Sequence, residues 1–302
     1  MPPLRLVSLL PSATEIVHEL GLTAYLVGRS HECDYPPAIQ ALPVCTAPKF
    51  DPNGDSRQVH ERVMAILHHA LSVYELNLAT LHALQPTHIL TQAQCEVCAV
   101  SLADVTQAVA AWFTPSPEVI SLQPQTLAQV WQDIALVGKQ LGVDPAPVLQ
   151  NLHQRIAQVQ RAVQGLPKPR VLCIEWLDPL MSAGNWVPEL VQLAGGQPLL
   201  AQVGAHSPWL TWAQVENADP DVIVLMPCGY DLARTVQAWQ DSPYPWGKLR
   251  AVQAGQVYAT DGNAYFNRPG PRLVDSLEIL AAIFHPRWDF GQQGWCPLAT
   301  GE

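Results

Sequence analysis

Short apolar runs alternate with stretches of helical spacing along most of this chain, and one long amphipathic stretch near the middle interrupts the alternation. Residues 4–9 read as a buried strand ending at Pro11-Ser12. Glu15 follows Ser12 at capping-box spacing, so Ser12 or Thr14 is expected to cap a helix running to Gly21. Residues 25–28 form a second expected strand. Val59, Val63, Ile66 and Leu67 predict a helix over 56–72, and further helices are expected over 75–84, 102–112 and 126–141, with strands at 87–91 and 118–121. Such alternation buries parallel strands beneath covering helices.

The interruption spans residues 145–164. Val148, Leu149, Leu152, Ile156, Val159 and Val163 lie on one stripe, and Pro145 suits a first helical position. At about 1.5 Å per residue this predicts a rod of roughly 30 Å, stiff enough to limit hinge closure. The alternation then restarts: strands at 170–174, 221–226 and 256–260, helices at 186–193, 212–218, 232–240 and 272–284. The fold class expected is α/β, with two parallel-sheet lobes joined by one helix: an N-terminal lobe over 1–143, the connecting helix over 144–166 and a C-terminal lobe over 167–302. Open α/β sheets bind ligands beyond the carboxyl ends of their strands, and two facing sets of strand ends would make a cleft.

Apolar residues make up 48% of the 302 and charged residues 14%, which excludes a disordered chain. The net charge of −10, with no basic cluster, argues against nucleic acid or anionic lipid as a partner. No apolar run approaches the roughly 18 residues of a membrane span. The apolar run 6–10 stops at Pro11 and no cleavage site follows, so retention in the cytoplasm is expected. Seven cysteines, an odd number, point to reduced thiols or metal ligands rather than a disulfide framework.

Several longer motifs carry a resemblance: RLVSLLPSATEIVHELGL, LVGRSHECDYPP, SAGNWVPELVQLAGGQPLL, ADPDVIVLMPCGYD and YFNRPGPRLVDSLEIL. Together they resemble the ABC-transporter substrate-binding proteins with a single backbone helix, which bind cobalamin, iron–siderophore complexes or haem. DYPP and PGPR are most similar to the cobalamin-binding members. The resemblance implies a class III periplasmic-binding-protein-like fold and a non-catalytic role. It also implies one bulky ligand, a corrinoid or other metal-bearing tetrapyrrole, in the cleft. Two departures stand out. Glu32, Ala47, Gln92 and Glu175 fall where cobalamin binders are largely aromatic. Ala79 and Ala213 fall where importer-coupled members present docking glutamates. Docking to an ABC importer is therefore not expected.

The candidate ligand-binding residues cluster at expected strand ends and the loops beyond them: Ser12, Glu32, Tyr35 and Gln92 in the first lobe, and Glu175, Trp176, Trp186, His206, Trp209, Tyr230, Tyr265, Phe266 and Arg268 in the second. The aromatic rings would cover a planar ligand, Arg268 would pair a carboxylate or phosphate, and Glu175 at the end of a buried strand must be paired or ligand-facing. His31 and Cys33 share a face if extended, and with Cys95, Cys98 and Cys228 they are candidate ligands for zinc, iron or copper. Cys95 and Cys98 have CxxC spacing, which also fits a redox pair or two packed thiols. The alternatives are thus direct metal binding, as a sensor, store or chaperone, and a thiol-dependent enzyme acting on a metal complex. No nucleophile elbow, P-loop or dinucleotide fingerprint supports catalysis.

Overall fold

Four parallel strands organise the first part of the computed structural model, which describes residues 3–67, 73–92, 102–287 and 293–298. The chain divides into two compact units. The first comprises Met1–Gly54, Gln58–Pro124 and Ala128–Leu149; the second comprises Asp55–Arg57, Gln125–Leu127 and Gln150–Glu302.

The first unit starts with β1 (Leu6–Ser8), α1 (Pro11–Glu19), β2 (Leu26–Arg29) and β3 (Thr46–Pro48). It continues with α2 (Ser56–Leu67), β4 (Tyr74–Leu76), α3 (Leu78–Leu84), β5 (His88–Gln92), α4 (Leu102–Trp112), β6 (Glu118–Leu122) and α5 (Leu127–Gln140). Its sheet has the order β2-β1-β5-β6, all parallel, and β3 and β4 form a separate antiparallel pair. Val7, Leu9 and Ile89 pack with Val105, Val109 and Phe113 on one side of the sheet. Two local expectations are corrected. α1 has Leu10 at its N-cap with no side-chain cap, because Pro11 takes the first position and Ser12 and Thr14 already lie inside the helix. The stretch 75–84 is not one helix: β4 pairs with β3, and Asn77 then caps α3 by accepting from Thr80 N at 3.0 Å.

α6 (Ala146–Val163) is the expected long helix, and the chain passes from one unit to the other within it, between Leu149 and Gln150. Leu152, Val159 and Val163 are its buried stripe. Beyond it come β7 (Arg170–Leu177), β8 (Leu180–Ser182), α7 (Val187–Leu193), β9 (Gln197–Pro198), α8 (Trp212–Ala218), β10 (Val222–Leu225) and α9 (Leu232–Gln240). They are followed by α10 (Arg250–Gln253), β11 (Val257–Thr260), α11 (Leu273–Phe284) and β12 (Trp295–Pro297). The sheet order is β12-β11-β10-β7-β8, with β9 also on β7. β7, β9, β10 and β11 are parallel to their neighbours, whereas β8 and β12 add antiparallel edges. The four residues of β10, Val-Ile-Val-Leu, are all buried, as expected of a strand covered on both faces. No helix among the described residues is long and apolar enough to cross a membrane.

Candidate functional site

In the first unit, the loop after β2 carries His31, Glu32 and Cys33, and Arg29 shapes it. The Arg29 guanidinium donates to the carbonyls of Ser30 (3.0 Å), Cys33 (3.1 Å) and Gln40 (3.0 Å). Glu32 Oε1 accepts from the Tyr74 hydroxyl at 2.9 Å. His31 packs beside Tyr74, with ring centroids 5.1 Å apart, and its Nδ1 lies 2.8 Å from Thr46 Oγ1. Burial, helped by the charge of Arg29, lowers its pKa to about 4, so the ring is neutral at pH 7. Cys33 departs from expectation. It is buried, with its sulfur 3.0 Å from Thr14 Oγ1, which also lies 2.9 Å from Ser8 Oγ. That thiol serves the polar interior between β1 and α1. Ser12 and Gln92 are also buried, and Tyr35 is half-buried with its ring edge-on to His18.

In the second unit, β7 brings Glu175 toward its carboxyl end, where Cys228 N donates to the Glu175 carbonyl at 3.3 Å. The Ser207 hydroxyl donates to Glu175 Oε2 at 2.7 Å, and Ser207 Oγ accepts from Gly184 N at 3.0 Å. Burial pushes the Glu175 carboxyl above its usual range, opposed by the Ser207 hydrogen bond and the nearby His206. Trp176 donates its indole N–H to the Asp178 carbonyl at 3.1 Å and packs against Tyr230 at 5.3 Å. The Arg234 guanidinium stands 3.8 Å over the other partner of that pair, the Tyr230 ring. His206 is exposed, and Trp209, 53% exposed, is among the most exposed large hydrophobic residues described.

Other expected ligand-facing residues turn inward. Phe266 has no exposed surface, and its carbonyl accepts from the Trp186 indole N–H at 2.9 Å, which makes both part of the interior beneath the Gly262–Phe266 turn. Tyr230 and Arg268 are buried too. Tyr265 is half-buried, with the Arg272 guanidinium 4.6 Å from its ring. Among the described residues no group of three or more His, Cys, Asp or Glu side chains is placed to hold an ion. Cys228 is exposed at the end of β10, while Cys95 and Cys98 lie outside the described residues. The partners of the two glutamates, Tyr74 and Ser207, went unnoticed in the sequence, because contacts 42 and 32 residues apart leave no local pattern.

Comparison with known proteins gives this arrangement a family. A model described as periplasmic binding protein matches residues 6–264. The chain belongs to the periplasmic binding protein family. Over 288 residues it is 26% identical to the vitamin B12-binding protein of Vibrio cholerae, covering 92% of this chain and 87% of that one. Among solved structures, the periplasmic haem-binding protein RhuT from Roseiflexus sp. RS-1 superposes with a TM-score of 0.70 at 22% identity, covering 94% of this chain and 98% of that one. The periplasmic vitamin B12-binding protein BtuF of Vibrio cholerae does so with a TM-score of 0.61 at 21% identity, covering 92% and 95%. These two likenesses are of fold. As a member of this periplasmic binding protein family, the chain is a binding protein and not an enzyme, which sets aside the thiol-dependent enzyme. The family also overturns the expectation of cytoplasmic retention and points to the periplasm. The short apolar run before Pro11 does not decide the compartment.

Proposed function

We propose that this periplasmic-binding-protein-family chain captures a corrinoid, or a haem-like metal macrocycle, on the loops beyond the carboxyl ends of its strands. The observation that carries this reading is the similarity to the vitamin B12-binding protein along 92% of the chain. It is supported at residue level by Trp209, an exposed aromatic two residues after Ser207, whose hydroxyl binds the Glu175 carboxylate. Cobalamin added at micromolar concentration is expected to give a saturable spectral shift and to raise the melting temperature, because it binds the folded state. Trp209→Ala is expected to weaken binding by about 1 kcal/mol or more, roughly fivefold. If neither cobalamin nor haem shifts the spectrum or the melt, the reading is wrong.

A second element of the proposal concerns delivery. Ala79 on α3 and Ala213 on α8 are both exposed. Methyl groups where importer-coupled relatives carry carboxylates support a binding protein that does not dock productively on a cobalamin importer.

A further inference from the structure

The loop that carries His206 is held unusually firmly for an exposed segment. Asn185 N donates to the Ala205 carbonyl at 2.7 Å, Gly204 N to the Asn185 carbonyl at 2.8 Å and Ser182 N to the Pro208 carbonyl at 3.0 Å. Gly184 N adds the bond to Ser207 Oγ. The approach is so close that a Cβ on Gly184 would lie 2.5 Å from Ser207 N and 2.6 Å from the Ala205 carbonyl oxygen. Only glycine lets the loop rest there. The His206 backbone is thus fixed from both sides while its ring remains exposed.

The ring has its own constraint. His206 Nδ1 lies 3.0 Å from the Ser207 carbonyl oxygen. A carbonyl oxygen can only accept, so Nδ1 must carry the proton. In the neutral ring the lone pair is then on Nε2, for which no hydrogen-bond partner is seen among the described residues. A histidine whose Nδ1–H is held by a backbone carbonyl, with Nε2 outward, has the arrangement that orients imidazole toward a metal. The Glu175 carboxyl lies close enough to feel the charge of His206.

We infer that His206 Nε2 is the axial donor to the metal of the bound macrocycle. This rests on the proposed function and adds to it the bond by which the ligand is read: a planar macrocycle whose central Co(III) or Fe(III) has an open or water-filled axial position. The step is a ligand exchange without electron transfer. A Nε2–metal bond forms, the metal–water bond breaks, and the water leaves with its own electron pair.

Two probes separate the metals: diaquocobinamide, which lacks the internal base of cobalamin, and ferric protoporphyrin. At least one is expected to bind the wild-type chain with the visible-band shift of nitrogen ligation. His206→Ala and His206→Asn should both lose that shift and bind at least about tenfold more weakly. Asn keeps a donor for the Ser207 carbonyl and so holds the loop while removing the imidazole; an unchanged melting temperature would exclude misfolding. A shift that survives both substitutions, or wild-type binding without it, would overturn the inference and leave the proposed function standing. If no corrinoid or porphyrin binds the wild-type chain, both fall.

Discussion

Asp133 on α5 shows how a single carboxyl sets a pH response. It accepts from Gln123 N, its Oδ2 is buried without a partner among the described residues, and burial raises its pKa to about 6. The folded state therefore holds a proton that the unfolded state, with a carboxyl near 3.9, releases. Between about pH 4 and pH 6 this group makes stability fall as pH rises, and above pH 6 the cost is constant. Asp133→Asn keeps an acceptor for Gln123 and removes the charge. It is expected to raise the melting temperature at pH 7.5 and leave it unchanged at pH 4; an equal effect at both would show that the charge is not responsible. His31 acts in the opposite sense. Its pKa of about 4 costs stability as pH falls from 6.5 toward 4, because the unfolded ring takes up a proton that the folded one refuses. At this scale the sequence was legible where chemistry clusters locally: Glu32, Glu175, His206 and Trp209 all occupy loops or strand ends. It was illegible where burial depends on distant partners, as for Cys33 on Thr14 or Trp186 on the Phe266 carbonyl.

Among the elements, α6 and the β–α alternation were readable because their periodicity is local: a stripe of Leu152, Val159 and Val163 repeats at helical spacing whatever covers it. β8, β9 and β12, two or three residues each, were not readable. So short a strand exists only through its neighbour, as Tyr258–Ala259–Thr260 of β11 pairs with Pro297, Cys296 and Trp295 of β12. The polar side of α6 is fastened by one arginine. Arg155 makes a two-pronged contact with Glu278 (Nε–Oε1 2.9 Å, Nη2–Oε2 2.6 Å) and reaches Asp275 at 2.6 Å, both on α11. These groups are partly sheltered from water, so the pairing lies between the weak surface and strong buried limits. Arg155→Met is expected to lower unfolding free energy by about 1–3 kcal/mol in denaturant titration, and Arg155→Lys, which lacks the planar fork, to recover only part of it. Equal stability of all three would show that the contact is a surface ornament.

For the whole molecule, the division into two units was foreshadowed by the interruption at α6, although short pieces at Asp55–Arg57 and Gln125–Leu127 cluster with the second unit and no composition shift marks them. Each unit carries one of the alanines relevant to delivery, Ala79 in the first and Ala213 in the second. A single charged pair at an interface rim contributes modestly, so either Glu substitution alone is expected to change little. Ala79→Glu with Ala213→Glu is expected to give weak, salt-sensitive association with a purified cobalamin importer, and uptake driven by the unmodified chain would refute the uncoupled reading. The α6–α11 fastening has a further consequence, in time rather than energy. Arg155 is synthesised 120 and 123 residues before Asp275 and Glu278. At about 5–20 residues per second, it waits roughly 6–25 s for either carboxylate. Until α11 has been made, the nascent helix holds this cation without its two carboxylates, so a chain aborted anywhere before residue 273 would lack the fastening altogether.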